Sequence, residues 1–294
     1  MEVDYLYSQY KPLLFSIGYS MLGSIEDSED LVQDTFLAVQ KMNQSSEKEE
    51  PNNIKAFLCK IMTNRCLDLL KSSKNKREVY IGPWLPEPII QNLSEDLHDD
   101  PMEKMILDET ITYAFLVLLE QLNPTERAVF VLREAFEFDF RTIAQILNKT
   151  ELNCRKIFSR LQRKIQKKDV EEKRDLNHEL VIAKRFIEAA ETGNLDMLIS
   201  LLTEDIVLIT DAGGKTKAAL RPINLQKNVI AFLIGIRNKL KVPSEMQCAL
   251  INNQIGLIVK SEGEEPTIIC FELEGDRYRS IYMVRNPDKI RFLD

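Results

Sequence analysis

Apolar residues recur at three- and four-residue spacing through the first half of the chain. This periodicity predicts helices over Tyr10–Leu22, Ser28–Met42, Ile54–Ser72 and Met105–Leu122. No run in that half reads as a strand. Asn123-Pro124-Thr125-Glu126 marks a further helix start, with Asn as cap, Pro in the first turn and Glu126 as the reciprocal capping carboxylate. Beyond about residue 176 the texture changes. Helices are predicted over Glu179–Glu191, Leu195–Leu202 and Asn224–Lys239. Among them lie runs suited to strands at Ile206–Thr210, Met246–Ile251, Gly256–Lys260, Thr267–Leu273 and Tyr278–Val284. Short polar connections such as Glu274-Gly275-Asp276 predict antiparallel hairpins. The pattern is a helical front and a separate α+β domain behind it.

Composition adds little until charge is mapped along the chain. The 294 residues suggest two domains or three small ones, and 39 basic against 46 acidic residues leave a net charge of −7. Taken as an average, that charge argues against nucleic acid. The average misleads, because the charge is segregated. Glu2–Glu50 holds ten acidic residues and three basic ones, whereas Lys55–Glu78 holds seven Lys/Arg against Asp68 and Glu78. Trp84–Glu109 then carries eight carboxylates, one Lys and Pro86, Pro88 and Pro101, the composition of an extended, solvated connector. Arg155–Lys168 has seven Lys/Arg and no acid. Two basic helical segments thus flank an acidic connector.

Several classes are excluded. Apolar stretches such as Ala114–Leu119 and Val229–Ile234 run six residues, far short of the ~20 that span a membrane. Met1-Glu2-Val3-Asp4 lacks the basic-then-apolar pattern of a secretion signal. The five cysteines (59, 66, 154, 248, 270) form no Cys-x-x-Cys pair, and with only His98 and His178 no metal site is expected. A cytoplasmic protein with reduced thiols and no cofactor is the expectation.

The clearest local signal is Asp139–Thr150 followed by Glu151–Gln166, two helices at a tight turn. Ala144 is small where the helices cross, Asn148 suits a left-handed turn position, and Thr150 can cap the second helix. On that helix Ile157, Phe158, Leu161 and Ile165 fall within a stripe of about 100°. Lys156, Ser159, Arg160, Arg163 and Lys167 lie on the far side. A dry face opposite an Arg/Lys/Ser face fits the DNA major groove better than a merely solvated helix, because the turn chemistry precedes it. In the first basic helix, Ile54, Phe57, Leu58, Ile61 and Leu69 form the expected inner stripe; Lys60, Asn64, Leu67 and Lys71 form another, suited to a phosphate backbone. Arg65 and Asp68, three residues apart within the inner stripe, read first as a sheltered ion pair with each other and second as a DNA contact. In the helix before it, Glu26, Asp30, Gln33 and Asp34 cluster outward, a surface for a basic protein partner.

Glu29–Phe36 followed by Thr63–Lys71 resembles region 2 of an extracytoplasmic-function RNA polymerase sigma factor, and Asn123–Lys168 resembles region 4, with Asn153-Cys154-Arg155 opening the recognition helix. Tyr80-Ile81-Gly82-Pro83-Trp84-Leu85-Pro86-Glu87-Pro88 resembles the linker motif of sigma factors with a SnoaL-like C-terminal domain. Asp211-Ala212-Gly213-Gly214-Lys215 and Asn286-Pro287-Asp288-Lys289-Ile290 resemble the signature motifs of that domain. Phe57 stands where the family often has Trp, and Ala212 replaces a usual Gly. The resemblance implies two all-α domains, region 2 over 1–80 and helix-turn-helix region 4 over 111–172, joined by a linker over 81–110. An α+β, cone-shaped SnoaL-like domain follows over 176–294.

It also implies roles. Asp30, Gln33 and Asp34 would dock on core RNA polymerase. Lys60, Asn64, Lys71 and Lys74 would hold the promoter −10 element, and Asn153, Arg155, Lys156, Ser159, Arg160 and Arg163 would read the −35 element. Trp84, Asp211, Gly213, Gly214, Lys215, Asn286, Pro287, Asp288 and Lys289 would form a regulatory contact between connector and C-terminal domain. The cone allows a small-molecule ligand, although Asp211–Lys215 reads more simply as a flexible loop than as a catalytic element, and no enzyme is expected. The competing readings are a ligand-sensing helix-turn-helix repressor, which leaves the first two helices without a purpose, and a SnoaL-like enzyme with a DNA-targeting front end.

Overall fold

The computed structural model describes residues 3–44, 51, 53–78, 80–91, 111–165, 175–239 and 244–290. The chain divides into two units, 1–76 with 98–111 and 116–171, and 77–97 with 112–115 and 172–294.

Unit one is helical. Its front is α1 (Val3–Leu22), α2 (Ile25–Gln44) and α3 (Ile54–Glu78). Gly18 of α1 lets the three helices approach: a Cβ there would collide with Met62 of α3 and lie 3.2 Å from Ser28 Cβ of α2. The buried face of α3 is accordingly Leu58, Cys59, Met62, Thr63 and Cys66. This corrects the expected stripe, of which only Leu58 is buried while Ile54, Phe57, Ile61 and Leu69 are half-buried. The helix is turned by roughly 100° from the face its bulkiest residues mark, because the groove beside Gly18 and Ser28 admits slim side chains. Arg65 reaches Asp34 of α2 at 2.8 Å, not Asp68, which pairs with Lys71 at 3.1 Å.

Next in the chain is α4 (Tyr113–Leu119), whose residues up to Phe115 belong to unit two and the rest to unit one; its expected first residues at 105–110 fall outside the described residues. Next come α5 (Pro124–Phe130), which continues through a π-helical turn (Val131–Ala135), then α6 (Phe140–Leu147) and α7 (Glu151–Ile165). The capping box of α5 forms: Asn123 Oδ1 accepts from Glu126 N at 3.0 Å and Glu126 Oε2 from Asn123 N at 3.3 Å. Arg127, 3% exposed, ties front to rear, its Nη1 donating to Glu120 Oε1 and to Met21 O, both at 2.6 Å.

Unit two is a seven-stranded sheet in the order β1-β4-β5-β6-β7-β2-β3. The strands are β1 (Ile90–Gln91), β2 (Leu202–Asp211), β3 (Ile223–Asn224), β4 (Ser244–Ile251), β5 (Gln254–Ser261), β6 (Thr267–Glu274) and β7 (Arg277–Val284). The hairpins of β4 to β7 are antiparallel as expected, but β2 pairs with β7 in parallel. After β2 the chain crosses through β3 and α10 (Gln226–Lys239), and the four-strand meander delivers β7 alongside β2 in the same direction. Helices α8 (Leu176–Thr192) and α9 (Leu195–Leu201) precede β2. Phe186 of α8 meets Phe271 and Tyr278 edge-on, with ring centroids 5.4 and 5.5 Å apart, so apolar side chains fill the space between helices and sheet.

The connector differs from the extended, solvated form that its composition predicts. Residues 83–90 are packed rather than solvated, though Ile81 and Gly82 before them are exposed: Leu85, Pro86 and Pro88 are buried, and β1 adds to the sheet edge through Ile90↔Ile251 and Gln91↔Leu250. Ile89 N donates to Asn252 Oδ1 at 3.0 Å and Asn252 N to Ile89 O at 2.9 Å. Residues 92–110 fall outside the described residues. No described helix is long and apolar enough to cross a membrane, and no described group of His, Cys, Asp and Glu could hold a metal ion.

Removing one partner of a buried ion pair leaves the other uncompensated. Arg127→Met is therefore expected to destabilise unit one by about 3 kcal/mol, and Arg127→Met with Glu120→Leu to recover most of the loss. Chemical denaturation followed by circular dichroism measures both.

Candidate nucleic-acid interface and connector hub

The turn between α6 and α7 forms as its residues dictate. Asp139 caps α6 by accepting from Thr142 N at 2.6 Å, and that hydrogen bond holds its carboxyl below the ordinary carboxylate range. Asn148 sits in the left-handed region at φ 51°, and Lys149 N donates to Ala144 O at 2.9 Å. Thr150 Oγ1 then accepts from Asn153 N at 3.2 Å, opening α7. Ile157, Phe158 and Leu161 are buried and Ile165 half-buried, with Phe158 packed against Phe130 and Phe140. The opposite face is exposed: Asn153, Arg155, Lys156, Ser159, Arg160 and Arg163 together line one open concavity of about 460 Å³. Lys167 lies outside the described residues.

On the front helices, Asp30, Gln33 and Asp34 are all exposed along α2, although Asp34 also binds Arg65. On α3, Lys60 and Lys71 are exposed and Asn64 is half-buried; the side chain of Lys74 lies outside the described residues. The Lys71–Asp68 pair joins two well-exposed side chains and is worth little in water, so Lys71 can exchange it for a phosphate.

The three remaining motifs meet in unit two. Asp211, 0% exposed at the end of β2, receives hydrogen bonds from Tyr80 Oη (2.5 Å), Leu85 N (2.8 Å), Gly213 N (3.1 Å) and Lys289 Nζ (2.7 Å). Lys289, 7% exposed, also donates to Leu85 O, and its ammonium stands 4.0 Å from the Trp84 ring centroid and 5.2 Å from that of Tyr80. Asn286 Nδ2 donates to Tyr80 Oη at 2.9 Å, while Asn286 Oδ1 accepts from Asp288 N at 3.2 Å and starts the 3₁₀ turn Pro287–Lys289. Lys215 pairs with Asp288 at 2.5 Å on the rim. Burial, then the Asp211 carboxylate, pushes the Tyr80 hydroxyl above its ordinary range.

Asp211–Lys215 is a hydrogen-bonded corner whose first two residues are buried and whose last two are exposed. Gly213 and Gly214 adopt φ 57° and 74°, and a Cβ on Gly213 would lie 2.6 Å from Asn286 Nδ2. Ala212 is not among the residues with positive φ, which explains why alanine serves there. Trp84 is half-buried rather than exposed. Tyr80 and Tyr113 were not singled out in the sequence. Tyr80 stands inside the linker motif. Tyr113, whose hydroxyl donates to Pro86 O at 2.7 Å and whose ring lies 5.7 Å from Tyr282, carries no local signal.

A helix-turn-helix with an exposed cationic face, an acidic helix beside a basic one, and an α+β domain holding its own connector are the features of a DNA-binding protein of modular build. Residues 6–76 match the sigma-70 region 2 family and residues 113–164 the sigma-70 region 4 family. The ECF RNA polymerase sigma factor SigJ of Mycobacterium tuberculosis is 28% identical over 291 residues, covering 94% of this chain and 89% of that one. The probable ECF RNA polymerase sigma factor SigI of the same organism is 28% identical over 206 residues, 69% of this chain and 68% of that one. The crystal structure of SigJ superposes with a TM-score of 0.77 at 25% identity, covering 98% of both chains. The chain thus carries sigma-70 regions 2 and 4 and is similar to extracytoplasmic-function sigma factors over nearly its whole length, with an α+β domain behind the two regions.

Loss of the ammonium from the hub leaves a buried carboxylate. Lys289→Met is expected to cost about 3–5 kcal/mol of unit-two stability, and adding Asp211→Asn to return part of it. Trp84, the only tryptophan of the chain, reports the transition by fluorescence during urea denaturation.

Proposed function

We propose that the chain directs core RNA polymerase to promoters by dividing the task among its surfaces. Asp30, Gln33 and Asp34 of α2 seat on a basic polymerase surface. Lys60, Asn64, Lys71 and Lys74 of α3 hold the −10 element, which sigma factors capture as separated single strand. Asn153, Arg155, Lys156, Ser159, Arg160 and Arg163 of α7 enter the major groove at the −35 element. Region 2 spans 1–80 and region 4 spans 111–172 in this reading, and neither binds strongly alone. Tethered, each raises the effective concentration of the other, provided the connector matches promoter spacing.

The observation that carries the reading is the face of α7, where six exposed polar residues line one concavity opposite a buried apolar stripe. The hub supports a second part: the SnoaL-like domain (176–294) modulates the sigma function in cis. Trp84, Asp211, Gly213, Gly214, Lys215, Asn286, Pro287, Asp288 and Lys289 do this by fixing where the connector runs.

Run-off transcription with purified core enzyme tests both parts. Arg163→Glu is expected to abolish promoter-directed RNA while core polymerase still co-purifies; Asp30→Lys with Asp34→Lys is expected to lose co-purification itself. Unchanged transcription from both variants would contradict the division of labour. On templates differing in spacer length by single base pairs, Asp211→Ala is expected to flatten the length dependence. A profile identical to that of the parent protein would contradict control through the hub.

A further inference from the structure

The cations on the exposed face of α7 are not equivalent. Among the described residues no hydrogen bond or ion pair holds Lys156, Arg160 or Arg163, but Arg155 is held twice. Its Nε and Nη2 both donate to Glu151 Oε1, at 2.9 and 2.6 Å. Its guanidinium carbon also lies 4.7 Å from the centroid of the Phe140 ring. That ring is itself fixed, edge-on to Phe158 at 5.5 Å and with the Arg133 guanidinium 5.1 Å from it. Arg155 nevertheless remains open to solvent, its side chain 57% exposed.

A guanidinium has five N–H donors in a rigid fork. Glu151 engages the Nε edge, so the Nη1–Nη2 end stays available as a parallel pair of donors. Such a pair matches the O6 and N7 acceptors of guanine in the major groove. A free Lys or Arg adapts to a phosphate wherever it lies. An arginine clamped by a carboxylate and a ring arrives with its donors already aimed and loses less rotamer freedom on binding. The position of Glu151 also calls for explanation, since a carboxylate facing DNA repels phosphate unless it works through a neighbour. Asn153 and Arg155 lie in the first turns of α7, the part of a recognition helix that contacts base edges.

We propose that Arg155 reads a guanine in the upstream promoter element and that Glu151 and Phe140 are its positioning residues, whereas Arg163 contacts phosphate. This rests on the reading that α7 enters the major groove. The test is transcription by the full-length chain with core RNA polymerase on a template library randomised across the upstream element, with transcripts sequenced. The parent protein is expected to select guanine at one position by on the order of 10- to 100-fold. Arg155→Ala is expected to erase that preference while leaving the other positions selected. Glu151→Gln and Phe140→Leu are expected to weaken it at the same position. Arg163→Ala is expected to depress all sequences alike and to lower the salt dependence by about one phosphate contact. Uniform loss in Arg155→Ala overturns the proposal. So does a Glu151→Gln variant that leaves the Arg155 position untouched or shifts selection at a cytosine instead, which would make Glu151 a reader of cytosine. No sequence-selective transcription by the parent protein would instead contradict the major-groove reading beneath it.

Discussion

A carboxylate sealed from water at the end of a strand has to be matched, and Asp211 is matched by groups from three stretches of chain. Tyr80 and the Leu85 amide come from the connector, Lys289 from the C-terminal turn, and the Gly213 amide from its own corner. Together these donors offset the desolvation of a buried carboxylate. The backbone of the connector is therefore fixed by the chemistry of the appended domain. Once Leu85 donates to Asp211 and accepts from Lys289, Pro86 O is placed for Tyr113, and Ile90 can extend the sheet edge on β4. A strand of two residues has little stability of its own, and here it is held at one end by an ion pair.

Unit one obeys a different constraint, the separation of charge between faces. The molecule is acidic overall, yet α7 presents a face of cations because its carboxylates are absent or, in Glu151, already engaged. On α2 and α3 the same separation is less complete: Arg65 and Asp34 cancel across the two helices, and Lys71 and Asp68 along one. Those pairs are exposed enough to be exchanged for other partners at little cost. Arg127 is the opposite case, a cation enclosed between Glu120 and the Met21 carbonyl, and it serves cohesion instead of contact.

Much of this was readable from local chemistry. The capping box at Asn123, the left-handed Asn148, the cap at Thr150 and the inner stripe of α7 each depend on residues within one or two turns of one another. The three caps and turns form as the sequence implies, and the stripe does so for Ile157, Phe158 and Leu161, with Ile165 half-buried. The orientation of α3 was not readable, because large aliphatic residues outweigh Cys, Thr and Met in any hydrophobic count, whereas the groove left by Gly18 selects for slimness. Spacing along α3 points Arg65 to Asp68, but Asp34, on another helix, is the carboxylate it reaches in space. The connector misled by averaging. Its acids and prolines dominate the stretch from 84 to 109, but the apolar residues that bury themselves (Leu85, Pro86, Pro88) crowd its first few positions. The motifs at 80, 211 and 286 were visible separately; that one carboxylate joins them is a fact of the fold.

The connector is a structured part of the C-terminal unit, held there by Asp211. Hydrogen exchange at the Leu85 and Ile89 amides of the full-length protein tests it most directly. Both amides donate to side chains of that unit, so protection comparable to the central strands β6 and β7 is the predicted result. Exchange at the rate of an open, solvated peptide would contradict it.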